Sequence, residues 1–187
     1  MSTSAEATLQ GTFDDAYASC LASLGKSTAP GLAQAADILD VANKTGVDPT
    51  LLAVTWKFEG GLDQNGQFNF QPTNGMHTPS TQIGDVGPGQ LYPGTWNKSP
   101  YTDGLSNPFG TNLNRGQVFN GNAFENLIVA GRALGTAQGA QRANAAGLYR
   151  AGSSNNPGYK ERVQNFKDNV KNYDAFFGCL AKKGFSP

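Results

Sequence analysis

Residues 48–61 read DPTLLAVTWKFEGG, an apolar segment with a strong start signal and an abrupt end. Asp48 supplies a side-chain acceptor for the first helical N–H groups, and Pro49 has the backbone angle of a first turn. Two consecutive glycines follow a single carboxylate, Glu59. The segment therefore predicts a helix that presents Glu59 at its C-terminal end.

The position of Glu59 is unusual for a carboxylate, because the C-terminal end of a helix carries partial negative charge. The preceding helix face is largely apolar, with Leu52, Thr55 and Phe58. Partial burial and the helix end both disfavour ionisation, so we expect the pKa of Glu59 to be raised, as a general acid requires. The alternative is a surface carboxylate in a last helical turn, without function.

Helical periodicity occupies both ends of the chain, around a loop-rich middle. From about residue 62 to 122, Gly, Asn, Pro, Thr and Gln dominate, yet seven aromatic residues remain, which disordered tracts lack. We expect an ordered, irregular region there, in which a small β-hairpin is allowed. We expect a mainly α fold and one domain over residues 1–187, with further helices at 12–24, 30–46, 122–137, 142–152 and about 159–182.

Composition excludes several classes of protein. The formal net charge is zero and only 15% of residues are charged, without a basic face for nucleic acid. A neutral, hydrogen-bonding partner is favoured instead. No apolar run approaches the ~18 residues of a membrane span. Two cysteines and one histidine exclude a Cys/His metal site, and we expect no cofactor.

The two cysteines, Cys20 and Cys179, lie near opposite ends of the chain. Because chain termini often lie close together, we expect a Cys20–Cys179 disulfide, which would contribute roughly 4–5 kcal/mol by closing a long loop. The alternative is two separate buried thiols. The first residues lack the basic segment and apolar core of a signal peptide. This fits a cytoplasmic protein or a mature form whose signal was removed.

Four blocks follow in order over roughly residues 48–166: LLAVTWKFEGG, DVGPGQLYPGTW, NLIVAGRAL and AAGLYRAG with NPGYKERV. Together they resemble the lysozyme-like superfamily, most closely the soluble lytic transglycosylases and goose-type lysozymes. The resemblance implies an α+β lysozyme-like core over these residues, with helices at 12–46 and 159–182 packed on it. It also implies a monomer, secreted or periplasmic, that acts on peptidoglycan or a related N-acetylated glycan.

The resemblance also implies roles for individual residues. Glu59 matches the catalytic acid that protonates the glycosidic oxygen. Gln90, with Gly87 in the same segment, matches the glutamine motif that lines the sugar cleft. Tyr149 matches a tyrosine whose hydroxyl lies near the catalytic glutamate. Tyr92 is a further candidate for sugar stacking, because it is an aromatic residue in the loop region.

Trp96 is a second stacking candidate, for which core packing is an equal alternative. Three residues depart from the family pattern. Gly60 stands where the family usually has serine, Pro88 lies inside the glutamine motif, and Arg150 replaces an asparagine. These departures concern the reaction more than the fold.

A second carboxylate would distinguish the two reactions of this family. Inverting hydrolysis needs a second acid that activates water, whereas lytic transglycosylases use one glutamate and an internal hydroxyl. Asp85 matches an aspartate implicated in positioning water in goose-type lysozymes, and Asp63 is the alternative. Either residue could instead cap a local turn. Two other functions stay open: an inactive wall-binding module on the same fold, and an enzyme for chitin-like oligosaccharides.

Overall fold

The computed structural model describes residues 4–25, 27, 29–58, 65–67, 85–111, 119–138, 142–151 and 154–187. Most of these residues are helical, which confirms the mainly α fold. No helix in these ranges is both long enough and apolar enough to cross a membrane. The helices in chain order are α1 (Ser4–Cys20), α2 (Leu32–Thr45), α3 (Pro49–Phe58), α4 (Pro93–Trp96), α5 (Ala123–Gln138), α6 (Arg142–Ala151) and α7 (Pro157–Lys182).

Helix α3 is the buried helix of the fold. The Asp48 carboxylate caps it as predicted, with Oδ1 accepting the N–H groups of Thr50 at 2.7 Å and Leu51 at 3.3 Å. Every residue from Thr50 to Trp56 is buried, because α2, α6 and α7 all pack against this helix. Trp56 is fully buried and belongs to the core.

Helix α7 covers α3 and α6 and also contacts α1. Val163 and Val170 of α7 are only half-buried, whereas Phe176 is fully buried. The buried face is wider than a single stripe because α7 packs against neighbours on more than one side. Its buried residues are Phe166, Tyr173, Phe176, Phe177 and Leu180.

Two glycines let helices approach closely. A Cβ on Gly131 of α5 would lie 2.9 Å from the Thr45 side chain of α2. A Cβ on Gly147 of α6 would lie 2.7 Å from the Tyr159 ring of α7. Both distances are shorter than ordinary van der Waals contact, so each crossing requires a glycine.

The N-terminal helix differs from its predicted range of 12–24. Helix α1 begins at Ser4, and a 3-10 turn follows it over Leu21–Leu24. Cys20, at the end of α1, forms the expected disulfide with Cys179 of α7, with 5.7 Å between the Cα atoms. The bond therefore joins the two terminal helices across a sequence separation of 159 residues.

An arginine joins three helices at the start of α3. The Arg142 guanidinium of α6 donates to both carboxylate oxygens of Asp174 on α7, at 2.8 Å each. It also donates to Asp48, the cap of α3. The hydrogen bond from Arg142 lowers the pKa of the Asp174 carboxyl, against a partial burial that would raise it. The ionised state of Asp174 is therefore favoured in the folded protein.

We expect the double variant C20A/C179A to lose about 4–5 kcal/mol of unfolding free energy, because the unfolded chain gains the entropy of an open loop. Guanidinium denaturation of the variant and the oxidised wild type measures the difference. Wild-type protein reduced before denaturation is the matched control and should behave like the variant. An unchanged denaturation midpoint in both would contradict this account.

We expect acid to weaken the Arg142–Asp174 pair. Because the folded pKa of Asp174 is lowered from its ordinary value of 3.8, the contribution is present above that value and is lost as the pH falls through the folded pKa. The loss is modest, since solvent screens a side chain that is 44% exposed. Thermal denaturation between about pH 6 and pH 2 should show a smaller acid-dependent fall for D174N than for wild type. Identical pH profiles would contradict the assignment.

Candidate functional site

The predicted site residues fall into two groups. Gly87, Gln90 and Tyr92 lie in one turn segment that begins at Asp85, and Tyr149 of α6 contacts that segment. Glu59 and Asp63 lie outside the described residues, and the described part of α3 ends at Phe58. The geometry of the site is therefore built on the turn and its supports.

The turn is closed by an antiparallel bridge between Val86 and Leu91. Their backbone groups exchange two hydrogen bonds, at 2.9 and 3.1 Å. Between them, Gly87 has a φ of 68° and Gln90 a φ of 49°. A positive φ is uncommon for a residue with a side chain, so the surrounding contacts must hold Gln90 in this conformation.

Gln90 stabilises the turn with its own side chain. Its backbone N–H donates to the Gly87 carbonyl at 3.0 Å, and its Nε2 donates to the same oxygen at 2.9 Å. The side chain is half-buried. One end of the Gln90 amide is thus occupied within the turn.

Asn126 of α5 is fully buried and forms hydrogen bonds with the turn. Its Oδ1 accepts the Gly89 N–H at 2.8 Å, and its Nδ2 donates to the Pro108 carbonyl at 2.9 Å and, more weakly, to Val86 at 3.4 Å. A Cβ on Gly87 would lie 2.6 Å from the Asn126 amide, and one on Gly89 would lie 2.9 Å from it. Both glycines are therefore required for the amide to fit beneath the turn.

Tyr149 of α6 also supports the turn with a hydrogen bond. Its hydroxyl donates to the Gly89 carbonyl at 2.6 Å. Its ring lies nearly parallel to the Trp96 ring, at 15° with 6.5 Å between centroids, and Tyr101 meets Trp96 edge-on at 5.0 Å. All three rings are half-buried, so this aromatic cluster packs on the core and also keeps surface exposed.

Two further residues of α5 hold the loop that follows the aromatic cluster. The Glu125 carboxylate accepts hydrogen bonds from Ser106 and from the Asn107 N–H, the latter at 2.7 Å. Although desolvation opposes the shift, these donors lower the pKa of Glu125. Glu125 is therefore ionised and has a structural role. Arg132 donates to the backbone carbonyls of Tyr101 and Asp103, at 2.8 and 2.9 Å.

The remaining predicted residues lie at the edges of the turn. Asp85 is half-buried and immediately precedes the bridge residue Val86. Tyr92 is half-buried at the start of α4, where its ring covers Gly94. Gly94 carries no side chain, and a Cβ there would lie 2.6 Å from the Tyr92 ring. The structure thus brings Asp85, Tyr92 and the turn into one continuous segment.

Sequence reasoning assigned no role to Asn126, Glu125 or Arg132. Asn126 begins the block NLIVAGRAL, so the resemblance marked the segment without indicating what its first residue does. Its partners lie 18 to 40 residues away in the chain, beyond the reach of any local pattern. The buried amide could be identified only from the folded structure.

Comparison with known proteins found no match to this chain. No protein-family model, no curated protein and no solved structure matches the chain. The lysozyme-like resemblance therefore rests on the four sequence blocks alone.

We expect N126L to lose about 2–4 kcal/mol of stability, because it removes the partners of one buried N–H and of the Pro108 carbonyl. N126D keeps an acceptor for the Gly89 N–H but puts a carboxylate against two carbonyl oxygens, so it should also be destabilised. Urea denaturation measures both variants. The control is N122A, which removes only an exposed helix cap and should cost about 1 kcal/mol. A loss for N126L no larger than that of N122A would contradict the role of Asn126.

Proposed function

We propose that this protein cleaves the glycosidic bonds of bacterial peptidoglycan, with Glu59 as the general acid. The hydrogen bond from Tyr149 to the Gly89 carbonyl carries the proposal. Together with Asn126, it brings three of the four family-like blocks to a single turn, although Gly89 and Tyr149 are 60 residues apart in sequence. In the family that the blocks resemble, these segments line the cleft beside the catalytic acid.

The surroundings of the turn suit a hydrogen-bonding ligand that has apolar C–H faces. The aromatic cluster of Trp96, Tyr101 and Tyr149 presents half-buried rings, and apolar ring faces favour contact with the C–H faces of sugars. Loop residues beside it, from Asn97 to Pro100, are exposed.

In the proposed mechanism, the Glu59 carboxyl transfers its proton to the glycosidic oxygen as the bond to the anomeric carbon breaks. The leaving sugar departs as an alcohol, and positive charge develops on the ring. The conjugate carboxylate of Glu59 then takes a proton from the attacking nucleophile. In a transglycosylase the nucleophile is a hydroxyl of the same sugar, and the product is an anhydro sugar.

The role of Asp85 distinguishes hydrolysis from transglycosylation. In an inverting hydrolase, a second carboxylate accepts a proton from water while the water attacks the opposite face of the sugar. The half-buried Asp85, at the edge of the turn, is our candidate for that base. Hydrolysis leaves a reducing end rather than an anhydro end.

The disulfide supports a location outside the cytoplasm. Disulfides form and persist in secreted and periplasmic proteins and are rare in the reducing cytosol. The Cys20–Cys179 bond therefore favours a secreted or periplasmic protein over a cytoplasmic one. Peptidoglycan is located in the same compartment.

A catalytically inactive, wall-binding module is the second candidate. The turn itself favours it, because the Gln90 Nε2 and the Tyr149 hydroxyl both donate to backbone carbonyls rather than pointing their hydrogens at a ligand. Gly60 and Arg150 also depart from the family pattern. Such a module would keep the cleft without the chemistry.

We expect E59Q to abolish the release of soluble products from purified peptidoglycan, because glutamine cannot donate the required proton. Mass spectrometry of the digest is the measurement, with circular dichroism to show that the variant folds. A folded E59Q variant with wild-type activity would contradict the proposal. Saturable binding to peptidoglycan by the wild type without any products would favour the binding module.

D85N, tested in the same assay, separates the two reactions. Reducing-end products that fall at least about a hundredfold in D85N would identify a hydrolase with Asp85 as base. Anhydro products that persist in D85N would identify a transglycosylase that uses Glu59 alone.

A further inference from the structure

Lys57 is a lysine in the last turn of α3, two residues before Glu59 in the sequence. Its side chain is half-buried rather than solvated. The ammonium lies 5.5 Å from the Phe58 ring centroid and 5.9 Å from that of Tyr173 on α7. The Arg162 guanidinium lies 5.8 Å from the same Phe58 ring. These four residues form what we call the cation–aromatic cluster.

Lys57 has no carboxylate partner among the described residues. Burial lowers its pKa, and no neighbouring charge opposes that shift. The ring contacts with Phe58 and Tyr173 replace part of the lost hydration, but they do not neutralise the charge. A partly desolvated cation of this kind gains from an anion more than an exposed lysine does.

Two other partly buried cations of the described structure are bound by oxygen acceptors. Arg142 is bonded to the carboxylates of Asp48 and Asp174, and Arg132 to two backbone carbonyls. Lys57 differs from both because, among the described residues, its ammonium contacts aromatic rings and pairs with no carboxylate. It also differs in position, since it belongs to the helix turn that leads directly to Glu59.

We propose that the Lys57 ammonium binds a carboxylate of the substrate, so that the site prefers an acidic, peptide-bearing glycan over a neutral one. This inference rests on the proposed function, and it names the substrate class within it. Peptidoglycan strands carry carboxylates on their peptide stems, whereas chitin-like strands carry none. The cluster thus acts as a specificity determinant on the helix that precedes the general acid in the sequence.

The test compares soluble peptidoglycan strands with the same strands after amidation of their carboxyl groups. We expect K57M to raise KM about tenfold on the acidic strands, with kcat within about twofold, because only a binding contact is lost. KM on the amidated strands should not change. K57R keeps the charge and should retain a KM close to that of the wild type. Wild-type protein should itself show the tenfold preference for acidic strands.

The matched control is K44M. Lys44 also lies in the last turn of its helix, α2, with its ammonium 5.9 Å from the Phe124 ring. Its loss should leave both KM values unchanged. Equal KM values of the wild type for acidic and amidated strands, or a K57M effect of the same size on both, would overturn the inference while leaving glycan cleavage intact.

If the wild type cleaves neither kind of strand, the proposed catalysis fails, and calorimetric titration with the same strands tests Lys57 separately. A Kd about tenfold weaker for amidated strands, with that difference absent in K57M, would support the carboxylate site. Equal Kd values would overturn it. Thermal denaturation of K57M shows whether the variant is folded in either experiment.

Discussion

The buried start of α3 is the constraint on which the rest of the fold depends. A helix buried from Thr50 to Trp56 has no water to satisfy its first N–H groups, so a side chain must do so. Asp48 accepts those hydrogens with one oxygen and binds Arg142 with the other. Since Arg142 also binds Asp174, one capping carboxylate determines how α6 and α7 meet α3. Apolar contacts are not directional, so they would not fix the relative positions of these three helices as closely.

A second polar support acts on the irregular middle region. Within the described residues 85–111 of that region, α4 is the only helix, and several backbone groups bond to side chains of α5 and α6 instead. Asn126 satisfies the inner side of the turn, Glu125 binds residues 106 and 107, and Arg132 binds two carbonyls. Such directed contacts explain how residues 85–111, which are rich in glycine and proline, can be ordered with little regular secondary structure.

Local signals predicted the parts of the fold that depend on neighbouring residues. The end of α2 at Gly46 and the cap at Asp48 each follow from a few adjacent residues. The disulfide was expected because chain termini often lie close together, and the structure confirms it. Asn126 and Arg142 could not be predicted, because their partners lie as far as 94 residues away. The positive φ of Gln90 could not be predicted either, because glutamine is not a residue type that indicates a positive φ. For the candidate site, the sequence indicated the residues of the turn but not the amide beneath them.

The Cys20–Cys179 bond makes most of the chain a covalent ring. A protease that cuts anywhere between these two residues leaves one molecule of unchanged mass, apart from the added water. Both fragments stay joined and can retain their packing, because helices α1 and α7 are still connected. A clipped molecule would run as a single band without reductant and as two fragments with it.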